Sequence, residues 1–161
     1  MYRSLTFAAL LFSIIAMPPA VAGPGAPGHG HDLENFSAGQ PGDPKRPARV
    51  IQVIMREGDG QMMFVPNKVE VRKGEQIKFV LRNNGELDHE FVLASLAENL
   101  RHAEAMKKNP DMEHDDPNAK RLQPKGTAEI VWKFTKAGEF EFACLIPGHR
   151  EGGMIGTVTV K

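Results

Sequence analysis

Beyond residue 49 apolar side chains recur at every second position in several short runs. Ile77, Phe79 and Leu81 share one face of the run from Gln76 to Leu81. Ile130, Trp132 and Phe134 alternate in the same way, as do Phe140 and Phe142 leading into Cys144. A period of two puts the apolar set on one face of a strand and the polar set on the other. Val50 to Met55 is β-rich and largely apolar, and Met62–Val65 and Val69–Val71 are strand-like pieces around Pro66. Phe91–Leu93 continues from His89, and Val158 and Val160 close the chain. Turn-forming residues separate the runs at Lys73-Gly74, Asn83-Asn84-Gly85 and Ala137-Gly138. Short alternating strands punctuated in this way predict an all-β domain over residues 49–161, an antiparallel or mixed two-sheet sandwich.

One stretch carries a helical period instead. Ser95-Leu96-Ala97-Glu98 has the residues of a capping box, with Ser at the N-cap and Glu three positions on. Leu96, Leu100 and Ala103 then recur on one helical face, and Asn109-Pro110 stops the helix. Residues 95–125 are expected to form an insertion between two sandwich strands, helical first and then a charged loop. Residues 23–48 are poor in apolar groups, with Gly and Pro at eleven of 26 positions, and are expected to form a flexible arm.

Residues 1–22 have the layout of a secretory signal: Arg3 as the basic region, a mostly apolar run from Leu5 to Met17, and Ala20-Val21-Ala22 as the cleavage site. The apolar run is too short to span a bilayer. The expected mature chain starts at Gly23, has 139 residues and enters the periplasm with no membrane insertion after cleavage. Its charges nearly cancel, 19 basic residues against 20 acidic ones once Arg3 is removed, which gives no pull toward nucleic acid. Cys144 is the only cysteine, so an intramolecular disulfide is excluded. A lone thiol in an exported protein is either a buried inert group or a metal ligand.

The surroundings of Cys144 favour the metal. The run Cys144-Leu145-Ile146-Pro147-Gly148-His149-Arg150-Glu151-Gly152-Gly153-Met154 sets a thiol, an imidazole and a thioether five residues apart and then five again, between two expected strands. His89 stands far upstream at the head of another strand. Two His, one Cys and a weak axial Met are the ligands of a mononuclear blue-copper site. The thiolate is soft enough for Cu(I) and donates charge to Cu(II), neutral imidazoles suit both states, and a weak thioether tunes the potential. Further copper-binding candidates lie at His29 and His31 in the arm, at His102 and Met106 on the expected helix, and at Met112 and His114 in the acidic loop.

Three stretches resemble the cupredoxin superfamily of plastocyanin, azurin and rusticyanin: Asn83-Asn84 ahead of His89, Gly138 to Cys144, and the His149/Met154 loop followed by Gly156-Thr157-Val158. The Cys-x4-His-x4-Met spacing is similar to that of rusticyanin and related bacterial domains. The resemblance covers about residues 50–161 outside the insertion. It implies a two-sheet Greek-key sandwich with one type 1 copper, His89 coming from a strand and the other ligands from a loop at the same end. The export signal and the Met- and His-bearing segments make the chain similar to the exported copper-tolerance cupredoxins of Gram-negative bacteria. One position departs from the family: many members follow the first His with Asn or Ser, where this chain has Glu90.

The expected activity is copper binding with one-electron transfer, serving copper tolerance, with a dedicated respiratory carrier as the alternative. Either role calls for a periplasmic redox partner, a cytochrome or another copper protein. An oxidase or nitrite reductase is disfavoured because such enzymes need further His clusters, commonly beside the Cys, and here Ala143 and Leu145 flank it. A nucleophilic Cys enzyme fits poorly beside Met154. The expectation is therefore a metal protein and not an enzyme.

Overall fold

The computed structural model of the protein describes residues 36–110 and 116–161. In chain order the elements are β1 (Gln40–Pro41), β2 (Arg49–Gly58), β3 (Gln61–Val65), β4 (Lys68–Val71), β5 (Gln76–Asn83), β6 (His89–Ala94), α1 (Leu96–Lys108), β7 (Ala119–Leu122), β8 (Thr127–Lys133), β9 (Gly138–Ala143) and β10 (Ile155–Val160). They form two five-stranded sheets, ordered β1-β8-β5-β2-β3 and β4-β10-β9-β6-β7. The all-β sandwich expected from the alternating runs is thus present, with mixed pairing: β2–β5 and β10–β4 are parallel and the other pairs antiparallel.

Alternation decides which face meets the other sheet. Phe79 of β5 and Phe64 of β3 project from one sheet, and Phe91 of β6 and Phe142 of β9 from the other. The rings of Phe91 and Phe142 stack at 5.1 Å, and Phe79 lies 5.3 Å from Phe91. Each such ring removed from water contributes roughly 1.5–3 kcal/mol, so this aromatic layer is a main adhesive of the sandwich. Strand β6 is buried at all six positions, because α1 packs on the outer face of β6 and β9. That double burial explains why the segment shows a continuous apolar run and no alternation.

Three expectations are corrected. The arm expected over 23–48 is docked in its described part: Phe36 and Ala38 belong to the core, and Phe36 meets Trp132 edge-on at 5.3 Å. The Trp132 indole N–H donates to the Ala38 carbonyl at 3.1 Å, and Gln40–Pro41 pairs with β8. One aromatic and a sheet edge order a segment whose composition alone predicts disorder.

The charged loop expected to finish the 95–125 insertion contains β7, which pairs with β6 from His89↔Leu122 to Val92↔Ala119. The helix start is as expected, with the Ser95–Glu98 capping box formed. Its buried face is not. Leu96 and Leu100 are 53% and 45% exposed, and the side chains turned inward are Asn99, Met106 and, in part, Ala103. The Asn99 amide donates to the carbonyls of Val92 and Glu141 and to the Glu141 carboxylate at 3.2–3.5 Å. Satisfying those buried acceptors outweighs the burial of two leucines.

Candidate metal centre

Residues far apart in sequence converge at one end of the sandwich. His89 opens β6, and Cys144 directly follows β9. Because β6 and β9 are neighbours, the two side chains are adjacent, and the backbone N–H of Glu90 donates to Cys144 Sγ at 3.2 Å. The loop then returns to β10. The His149 N–H donates to the Ile146 carbonyl at 3.0 Å and the Met154 N–H to the His149 carbonyl at 3.1 Å. The Cys144 N–H donates to the Met154 carbonyl at 3.1 Å and closes the loop on itself. Gly148 and Gly153 take φ of 89° and 99°, a region that side-chain-bearing residues avoid, and this permits the tight reversals on either side of His149 and Met154.

Nδ1 of His149 lies 3.2 Å from Nδ1 of His89 and 3.3 Å from Cys144 Sγ. One donor atom from each of the three residues fits within 4.8 Å of the others. Among the described residues this is the cluster of His, Cys and acidic side chains compact enough to hold an ion. His89 and Cys144 are fully buried, while His149 is half-buried. Met154 is fully buried and packs in the core next to this group.

The electrostatics suit a soft cation. Burial pushes the Cys144 thiol up to about 12, against the pull of the Glu90 and Ile146 backbone N–H groups. The thiol therefore holds its proton at neutral pH until a cation displaces it. Burial first, and then the neighbouring His89, hold the His149 imidazole below its ordinary value, which keeps its nitrogen free to donate. Two imidazole nitrogens and one sulfur, largely withdrawn from solvent, fit copper better than a hard, oxygen-seeking ion.

Two acidic residues adjoin the cluster. Nε2 of His89 meets the Glu57 carboxylate at 2.7 Å. Burial raises the Glu57 carboxyl, but hydrogen bonds from the Glu86 and Leu87 backbone and from His89 outweigh it and leave it below the usual carboxylate range. Glu90 is buried, accepts a hydrogen bond from the Leu145 backbone and has Oε2 without a hydrogen-bond partner. Burial pushes its carboxyl up to about 6, with Arg121 opposing.

Sequence reasoning singled out Glu90 and missed Glu57. Glu57 reaches the site because β2 runs past the end of β5, where Met55 pairs with Asn83, and so stands against the 84–88 loop. Strand register carries that information, and no local motif does.

The additional copper candidates fall differently. Met106 is fully enclosed by Val92, Ala103, Ala119, Ala143 and Leu145, so the expected His102/Met106 pair has no shared exposed face. The helix must present an apolar group to the sheet there, and Met106 fills that need. His102 is half-buried. His29, His31, Met112 and His114 lie outside the described residues.

Known proteins resemble this chain in sequence and fold. A family model described as copper binding proteins, plastocyanin/azurin family, matches residues 51–161. The chain is 47% identical to a copper-resistant cuproprotein CopI of Rubrivivax gelatinosus over 83% of this chain and 78% of that one. It is 34% identical to a CopI of Pseudomonas aeruginosa over 84% and 86% of the two chains. Among solved structures, auracyanin B superposes with a TM-score of 0.61 at 22% identity, covering 79% of this chain and 99% of that one. Reduced auracyanin from Roseiflexus castenholzii gives 0.59 at 22% identity, covering 71% and 98%. With 111 residues matched and the His-Cys-His cluster in place, the chain belongs to the plastocyanin/azurin family of copper-binding proteins, the cupredoxins.

Proposed function

We propose that the protein is an exported type 1 copper protein in which His89, Cys144 and His149 would hold the metal, with the Met154 thioether as a further, weak donor. Bound copper supplies exchange of one electron between Cu(I) and Cu(II). The chain's own residues supply the rest. Cys144 yields its proton to become the sulfur donor, the two rings offer Nδ1, and the hydrogen-bonded loop from Cys144 to Met154 holds three donors in nearly fixed positions. A fixed donor set limits the rearrangement that a change of metal charge would otherwise demand. His149, half-buried where His89 and Cys144 are fully buried, is the natural exit for an electron toward a periplasmic partner, a cytochrome or another copper protein.

The observation that carries this reading is the meeting of His89, Cys144 and His149 within 4.8 Å. A copper-tolerance role in the periplasm is supported by the two relatives named copper-resistant cuproproteins and by the signal-like residues 1–22. Among the described residues no helix is long and apolar enough to cross a membrane. A carrier or binding role is favoured over an oxidase because Ala143 and Leu145, on either side of Cys144, are buried in an apolar cluster and offer no metal-ligating side chain.

The test is the purified mature protein loaded with copper. One tightly held copper per chain and an intense visible charge-transfer band are expected, and Cys144→Ser should abolish the band. Retention of the band in that variant would refute the thiolate assignment. Growth of a deletion strain on copper, restored by the wild-type chain and not by Cys144→Ser, separates tolerance from a dedicated respiratory role. Copper stoichiometry after replacement of His29/His31 and of His102/His114 tests the additional sites. An unchanged value of one copper in every variant would eliminate them.

A further inference from the structure

We infer that Glu57 is a positioning residue of the copper centre, whose carboxylate orients His89 and biases the site toward Cu(II). The inference rests on the proposed ligation and adds to it a residue from the opposite sheet.

His89 is fully buried and has two ring nitrogens with different neighbours. Nδ1 faces His149 and the sulfur of Cys144, while Nε2 is 2.7 Å from Glu57 Oε1. A carboxylate can only accept, so the ring proton belongs on Nε2, and Nδ1 is left as an unprotonated donor. The same carboxylate is clamped from the other side. Oε1 also accepts from the Leu87 N–H at 3.1 Å, and Oε2 accepts from the Glu86 N–H at 3.0 Å. A side chain at position 85 would bring its Cβ within 2.4 Å of both oxygens, so Gly85 is what lets the carboxylate lie against the loop. Asn83 braces that loop from within, accepting from the Gly85 N–H and donating to the Leu87 and Leu122 carbonyls at 2.7–3.0 Å. Two backbone donors thus hold the Glu57 carboxylate against the ring.

An anion on the far nitrogen makes an imidazole a stronger donor than a neutral acceptor does. The added negative charge favours the more positive metal state. Cu(II) should therefore gain more affinity than Cu(I), and the reduction potential should be lower than with an uncharged partner. A purely structural role would change both affinities together.

The experiment measures Cu(I) and Cu(II) affinities of wild type, Glu57→Gln, Glu57→Asp and Glu86→Gln, and records ¹⁵N shifts of the His89 ring in each copper-free protein. Wild type should show the Nε2–H tautomer without metal. Glu57→Gln should lower the Cu(II)-to-Cu(I) affinity ratio about tenfold, a rise of about 59 mV in potential, and should loosen the tautomer preference. Glu57→Asp, which keeps the charge, should recover part of the ratio if the Gln variant folds poorly. Glu86 is an exposed neighbour whose carboxylate pairs with Lys125, and its Gln variant should leave the ratio at the wild-type value. An unchanged ratio in Glu57→Gln with copper still bound, or an Nδ1–H tautomer in the wild type, overturns the inference. Failure of the wild type to bind copper would instead refute the ligation it rests on.

Discussion

At the scale of single residues, the centre is surrounded by groups whose charge state the fold controls. Glu90 shows the cost most directly. It directly follows His89 in the chain, and its carboxyl is raised from 4.5 to about 6, first by burial, with Arg121 and the Leu145 N–H opposing. A group with a higher pKa in the folded than in the unfolded chain favours folding when protonated. Its contribution is therefore complete below about pH 4.5 and is lost as pH rises through 6. About 1.5 units corresponds to roughly 2 kcal/mol. Glu90→Gln keeps an acceptor for the Leu145 N–H and cannot ionise. The copper-free variant is expected to match wild type in melting temperature near pH 4 and to exceed it at pH 7. Equal differences at both pH values would mean that charge burial is not the cause. The family comparison made Glu90 visible in the sequence as a departure from Asn or Ser. Its buried carboxyl, held against the Cys144 loop, became visible only once β6 and β9 were placed side by side.

At the scale of elements, the helix shows where periodicity misleads. The capping box and the Asn109 stop are local signals, and both were legible. Which face packs depends on what the sheet beneath requires. Here β6 and β9 present carbonyls and a carboxylate that need a donor, and Asn99 answers them, with Ala103 and Met106 one and two turns further along. Glu141 also accepts from the Arg150 guanidinium at 2.8 Å, so Asn99, Glu141 and Arg150 tie α1 to the Cys144–Met154 loop. The packing makes a sharp contrast between two apolar residues of one helix. Met106→Ala should destabilise the protein by about 2–5 kcal/mol, because it empties a sealed site beside Leu145. Leu100→Ala, at an exposed position, should change stability by less than about 0.5 kcal/mol. Urea unfolding of both variants checks this, and the opposite order would restore the face expected from the Leu96/Leu100 spacing.

At the scale of the whole molecule, the sequence displayed the sandwich and the loop donors because both depend on short-range patterns. Alternation exposes strands, and Cys144, His149 and Met154 lie within one loop whose spacing is itself the signal. The contributions of Phe36, β7 and Glu57 depend on long-range pairing and were not legible. Each becomes useful only against a partner supplied by another strand: Trp132, β6 and His89 in turn. The same long-range construction predicts how metal and fold are coupled. His89 heads β6, Cys144 directly follows β9 and Met154 precedes β10, all in one sheet, and Glu57 of the opposite sheet hydrogen-bonds to His89, so an ion held there would brace three strands at one end of the sandwich. The unfolded chain has no such arrangement, and binding free energy therefore adds to folding stability. Copper at a hundredfold excess over its dissociation constant should add about 2.7 kcal/mol. For a domain of this size that is a rise in melting temperature on the order of 10 °C. Calorimetry of wild type with and without a chelator measures the increment. Cys144→Ser should lose most of it while its copper-free form melts cooperatively, because the aromatic layer between the sheets does not involve the metal. An increment that survives loss of the sulfur would place the stabilising copper somewhere other than the end of the sandwich where these strands meet.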